Sequence, residues 1–76
     1  MMNFKKMTKH ELMAYIMLNM KNPGYNLNRA EYEAKGWNFD RYFNSLVKYH
    51  AAHHKKDELV KMAENVDQVG WGIRFH

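Results

Sequence analysis

The sequence contains no cysteine among its 76 residues. Disulfide bonds, thiolate zinc sites, iron–sulfur clusters and cysteine nucleophiles are therefore all excluded as features of this chain. A small domain without such cross-links depends on side-chain packing for its stability. The absence of cysteine is also typical of proteins from reducing compartments, and we expect a cytoplasmic location.

Hydroxyl nucleophiles are equally scarce, because the chain has one serine, Ser45, and one threonine, Thr8. No histidine stands three or four residues from Ser45, where a helix would bring a base within reach. Glu31 and Glu33 do not form an acid–base pair, since residues two apart on a helix point to different sides. The single Gly-x-Gly, at 70–72, precedes no helix that would hold a phosphate. We expect neither enzymatic activity nor a cofactor.

A long apolar run is also missing. The longest uncharged apolar stretch is 12–18, far short of the roughly 18 residues that a membrane-spanning helix needs. The first residues show no order typical of a secretory signal, so we expect neither secretion nor a membrane partner. With 46% hydrophobic and 14% aromatic residues, the chain is nevertheless too apolar for a disordered tail.

Helix signals are what the chain does contain. Thr8 and Glu11 form a Thr-x-x-Glu capping box, which predicts that the first helix begins there. Asn22-Pro23-Gly24 predicts that this helix has ended before residue 24. Apolar residues follow the cap at helical spacing: Leu12, Met13, Ile16, Met17 and Met20. A buried core is the simpler interpretation of this row, and a flexible docking patch of methionines is the alternative.

Asparagine caps predict two more helices. Asn28 precedes a short helical segment to Lys35, and Gly36 stands where a left-handed C-terminal cap belongs. Asn38 precedes the best-patterned segment of the chain. Its apolar positions are Phe39, Tyr42, Phe43, Leu46, Val47 and either His50 or Ala51. These two segments predict helices that pack through one face each.

The apolar pattern fails between His53 and Glu58 and resumes at Leu59. Either the third helix continues to about residue 66, or a polar corner precedes a fourth helix capped by Asp57. We favour the corner, because one long helix would carry a polar gap of more than one turn.

The last eight residues have a different period. Val69, Trp71, Ile73 and Phe75 alternate with glycine or polar residues, which is typical of a strand with one buried face. Its partner strand would be residues 2–4, a second copy of the chain or another protein's sheet; alternatively, the tail packs on the helices without pairing. The prediction for residues 1–76 is a mainly α fold: a small single domain of three to four short helices with a strand-like C-terminal segment.

The formal charge is +4, and no acidic residue occurs at positions 41–56. Arg41, Lys48 and Lys55 recur every seven residues, which on one helix forms a single stripe, and Lys56 lies beside it. Such a basic ridge suits a phosphate backbone or an acidic protein surface. A solvated polar face without a binding role is the simpler alternative.

Histidines are concentrated at 50–54. His50 and His54 stand four residues apart, so a helix would place both on one face, with Asp57 or Glu58 one turn further on. They are weak metal candidates, because a zinc site usually has three or four defined ligands, and we predict no metal site. Sensitivity to pH is the more direct expectation for histidines beside lysines, and ordinary solvated or packed histidines are the simplest.

The aromatic residues Trp37, Tyr42 and Trp71 are candidate anchors for a protein interface. The leading hypothesis is a small basic accessory protein, of the kind that phages encode. It would dock on a protein or a protein–nucleic-acid complex and regulate or inhibit it, without catalysis. The first alternative is direct nucleic-acid binding through the basic ridge, in which a homodimer is possible. The second alternative is a structural subunit of an oligomer.

Overall fold

The computed structural model describes residues 3–21, 27–70 and 74–75. Its helices are α1 (Lys9–Asn19), α2 (Arg29–Ala34), α3 (Phe39–Ala52) and α4 (Lys56–Glu64), with 3₁₀ turns at Phe4–Lys6 and Val66–Gln68. The predicted mainly α fold with three to four short helices is confirmed. Within the described residues no helix has the length and apolar character needed to cross a membrane.

The predicted N-terminal caps of α1, α2 and α3 are all formed. The Thr8 hydroxyl accepts from the Glu11 backbone N–H at 3.1 Å, and the Glu11 carboxylate accepts from the Thr8 N–H at 3.0 Å. The bond from the Thr8 backbone N–H, followed by the nearby Thr8 hydroxyl, holds the pKa of the Glu11 carboxyl below its ordinary value. Asn28 and Asn38 accept from the backbone N–H groups three residues ahead, at 3.3 and 3.1 Å. Each satisfies a donor that the first turn leaves without a helical partner.

α1 lies at the centre of the fold, because it packs against both α3 and α4. The buried faces of these helices, joined by Val69, form one apolar core. The core consists of Leu12, Met13, Ile16, Met17, Met20, Val47, Ala51, Leu59, Val60, Met62, Ala63 and Val69. One face of α3 therefore packs against α1, and the opposite face is exposed to solvent.

The methionines of α1 belong to this core. Met13, Met17 and Met20 are 0%, 1% and 6% exposed. The alternative that they form an exposed docking patch is wrong. Unbranched thioether side chains fill irregular gaps between helices, and that is their role here.

A corner separates α3 from α4, as the sequence favoured. The cap prediction at Asp57 is wrong, however, because the N-cap residue is Lys55, which makes no side-chain capping bond. Asp57 and Glu58 lie inside the first turn, where negative charge is favourable beside the helix dipole without any capping bond. Glu58 also pairs with the imidazole of His54 across the corner.

The C-terminal segment does not form one continuous strand. β1 (Val69–Gly70) pairs antiparallel with β2 (Arg74–Phe75), so the segment pairs with itself. Pairing with residues 2–4 is wrong, because Phe4 lies in a 3₁₀ turn, and Met2 is outside the described residues. Trp71 and Ile73 also lie outside them. A period of two fits two short paired strands as well as one straight strand. Pairing with a second copy or with another protein's sheet stays a prediction.

The turn between α2 and α3 offers a test of backbone strain. Gly36 has φ +78°, and a Cβ added there would meet no atom within 4 Å. We expect Gly36→Ala to lower the free energy of unfolding by about 1 kcal/mol, purely through the cost of the left-handed conformation. Gly36→Asn should lose less, because asparagine adopts this conformation more readily. Urea denaturation followed by circular dichroism measures both, and equal stability of the two variants would contradict this explanation.

Candidate functional site

An aromatic cluster joins α2 to α3. Tyr32 of α2 stacks on Tyr42 of α3 with ring centroids 4.6 Å apart, and it meets Phe39 edge-on at 5.7 Å. Phe39 stacks in turn on Phe43 at 5.8 Å, and Phe43 packs against the main core. Aromatic pairs of this geometry add stability beyond the area they bury. The cluster thus holds the short α2 in a defined position beside the first turns of α3.

Trp37 projects from the turn that this cluster supports. Its backbone N–H donates to the Tyr32 carbonyl at 3.0 Å, and its ring lies 5.4 Å from the Tyr32 ring. The Lys35 ammonium stands 5.1 Å from the indole centroid. The residue is nevertheless 55% exposed. Of the three predicted anchors, Trp37 is accessible, Tyr42 is half-buried in the stack, and Trp71 lies outside the described residues.

The acidic side chains near the start of α3 are paired. One guanidinium nitrogen of Arg29 lies 2.6 Å from the Asp40 carboxylate and another lies 3.3 Å from Glu33. The guanidinium also sits 4.8 Å from the centroid of the Phe39 ring. Its hydrogen bond and charge hold the pKa of Asp40 below its ordinary value. Lys35 pairs with the remaining acid of this region, Glu31, at 3.6 Å.

The outward side of α3 carries exposed polar and basic residues, which we call the α3 face. It consists of Arg41, Asn44, Ser45, Lys48, Tyr49 and Ala52. The seven-residue spacing of Arg41 and Lys48 sets them about 10 Å apart along the helix axis. Neither makes an ion pair with any described residue, and the Asn44 amide makes no hydrogen bond there. The α3 face therefore presents two uncompensated cations with a free amide between them.

The prediction that Lys55 continues one helical stripe with Arg41 and Lys48 is wrong. Lys55 lies beyond the last residue of α3, Ala52, because the corner interrupts the helical period there. Lys56 is the first residue of α4, where it lines an open groove together with Lys5 and Val60. The stripe on α3 itself thus consists of Arg41 and Lys48.

Sequence reasoning missed the Arg29 network. The i, i+4 spacing of Arg29 and Glu33 was a visible signal for one of its pairs. The contact with Asp40, eleven residues away, has no local signal, because it exists only when α2 is docked on α3.

The three histidines near the corner have separate environments. His50 is 8% exposed. Burial is the main cause that lowers its pKa, and the nearby His54 and His53 lower it further. His53 has its Nδ1 2.7 Å from the Tyr49 carbonyl oxygen. His54 pairs with Glu58. The described residues contain no group of three histidine, aspartate or glutamate side chains that could hold a metal ion.

Comparison of the chain with protein-family models, curated proteins and solved structures finds no match. The geometry and charge of the α3 face and of the turn beside it are therefore the features that bear on function.

Burial of His50 predicts that stability decreases as the pH falls below about 6.5. Its pKa in the folded protein lies below the ordinary value of 6.5. As the pH falls, the imidazole is therefore protonated in the unfolded chain before it is protonated in the folded protein. The contribution to stability is complete above about 6.5 and is lost as the pH falls below it. We expect His50→Gln to flatten this dependence in thermal unfolding, whereas the exposed His10→Gln control should not. Parallel profiles for His50→Gln and the unsubstituted protein would contradict the prediction.

Arg29→Gln tests the charge pairing at the start of α3. Removal of the guanidinium should raise the pKa of Asp40 toward its ordinary value, since both the hydrogen bond and the charge that favour the carboxylate are lost. Titration of the aspartate side-chain carbons by NMR measures this shift. Arg41→Gln is the matched control, because Arg41 pairs with no described acid and its loss should leave Asp40 unaltered. The same Asp40 pKa in both variants would contradict the assignment.

Proposed function

We propose that this protein is a non-catalytic binding module that docks on a larger, negatively charged macromolecule through the α3 face. The observation that carries the proposal is the difference between paired and unpaired charge on neighbouring surfaces. Glu31, Glu33 and Asp40 are engaged by Arg29 and Lys35. Neither cation of the α3 face makes an ion pair with a described acid.

Uncompensated cations on one helix face create a local positive potential. Positions 41–56 hold four lysine or arginine residues and no acid, within a chain of charge +4. Such a potential attracts a negatively charged surface and speeds encounter with it, in a salt-dependent way. The exposed Trp37 stands just before the first turn of α3, where it provides an apolar anchor at one end of the charged surface.

The two side-chain hydroxyls of serine and threonine have structural roles, which supports binding in preference to catalysis. Ser45 donates its hydroxyl to the Arg41 carbonyl at 2.9 Å, and Thr8 takes part in the capping box. A nucleophile needs a base that activates it, and these hydroxyls bond instead to the backbone. That docking regulates or inhibits the partner stays a prediction from the sequence.

Charge reversal on the α3 face tests the proposal. We expect Arg41→Glu/Lys48→Glu to elute from a heparin column at markedly lower salt than Lys6→Glu/Lys21→Glu, whose lysines are exposed outside α3. Both double variants carry zero formal charge, because each replaces two cations by two anions in a chain of +4. If binding depends on the α3 face, the two double variants elute at different salt concentrations. If it depends on net charge alone, they elute at the same one.

Circular dichroism and thermal unfolding establish that both double variants fold. Elution of the two at the same salt concentration would overturn the proposal, since the α3 face would then contribute no more than any other pair of lysines.

A further inference from the structure

A short turn connects α2 to α3. Only residues 35–38 connect the two helices, and Gly36 in this turn has a left-handed backbone conformation. Two helices joined by a turn of three to four residues containing glycine have the connectivity of the helix-turn-helix motif, whose second helix enters the major groove when that motif binds DNA. α3 has 14 residues, which gives a length of about 21 Å.

The chemistry of the α3 face is that of a helix that reads base edges. Arginine donates two hydrogen bonds to guanine, asparagine donates and accepts with adenine, and lysine contacts phosphates. Arg41, Asn44 and Lys48 supply these three types within two turns, all exposed. The one exposed acid at the start of the helix, Asp40, is paired with Arg29 at 2.6 Å. Repulsion of phosphates at this end is thereby reduced.

The distribution of residues favours DNA over an acidic protein. Protein interfaces are depleted in lysine at their centre and place aromatic anchors there. On this surface the centre is basic and polar. The exposed aromatics lie toward the ends, with Trp37 before the first turn and Tyr49 near the last, at 55% and 60% exposure. Duplex RNA is disfavoured as well, because its major groove is too narrow for side chains on a helix to read.

We propose that the α3 face binds double-stranded DNA, with α3 in the major groove, Asn44 directed at base edges, and Arg41 and Lys48 contacting bases or phosphates. This inference rests on the proposed function and names its partner. The major groove of B-form DNA, about 12 Å wide, admits an α-helix. The α2–turn–α3 unit is the docking element, and the core holds α3 by its opposite side.

Fluorescence anisotropy with the 76-residue chain tests the partner class. The labelled probes are a mixed-sequence DNA duplex, one of its single strands and an RNA duplex of the same sequence, with poly-glutamate as competitor. We expect at least tenfold tighter binding to the DNA duplex than to the other nucleic acids, and little competition by poly-glutamate. Equal affinity for all the nucleic acids, or full competition by poly-glutamate, would overturn the DNA inference and leave the binding module intact. Failure to bind these probes or heparin would overturn both.

The salt dependence locates the contact on α3. Each phosphate contact adds about one unit to the slope of log affinity against log salt concentration. We expect Arg41→Gln/Lys48→Gln to lower that slope by up to two units between 50 and 200 mM salt, and Lys6→Gln/Lys21→Gln to leave it unaltered. The opposite order of the two pairs would overturn the placement of α3 in the groove.

Asn44→Ala separates base reading from general attraction. Selection from a randomised duplex pool should enrich a sequence preference with the unsubstituted protein. Asn44→Ala should relax that preference at one position while keeping the salt slope, because it removes a base contact and no charge. Thermal unfolding checks that the variant folds. Enrichment of the same preference by Asn44→Ala would overturn the role of this residue.

Discussion

Burial of α1 between α3 and α4 is the interaction on which the rest of the structure depends. A chain of 76 residues with no cysteine has no disulfide bond, so its fold depends on side-chain packing, and α1 makes most of the contacts between helices. Leu12 and Ile16 are fully enclosed at its centre. Truncation of one such residue to alanine typically costs about 2–5 kcal/mol, a large share of the stability of a small domain. Because α1 takes the inner side of α3, the outer side faces solvent.

The second constraint is the pairing of charge around the α2–α3 turn. Arg29 contacts two carboxylates and one aromatic ring, so a single side chain links α2 to α3 and offsets part of the nearby negative charge. Exposed ion pairs contribute little to stability. Their effect here is on the surface potential, since they leave Arg41 and Lys48 as the unmatched charges of α3. The proposed binding role and its DNA partner both depend on that asymmetry.

Local signals predicted the helices well, because caps and apolar spacing act over a few residues. Thr8, Asn28 and Asn38 cap their helices as expected, and Gly36 ends α2 in the left-handed conformation. The prediction at Asp57 was wrong because an acidic residue serves equally well as a cap or inside the first turn. The candidate site was predicted in part: Arg41 and Lys48 lie on one face of α3, whereas Lys55 is not part of that helix, because α3 ends at Ala52.

The sequence by itself determined the helical class, the caps and the absence of acids from positions 41–56, since each of these depends on residue type and short-range spacing. Only the tertiary structure decided that the methionines of α1 are buried, that Arg29 reaches Asp40, and that β1 pairs with β2. The reason is physical: the order of residues along the chain specifies which faces are apolar, but contacts between distant residues arise only when those faces pack together.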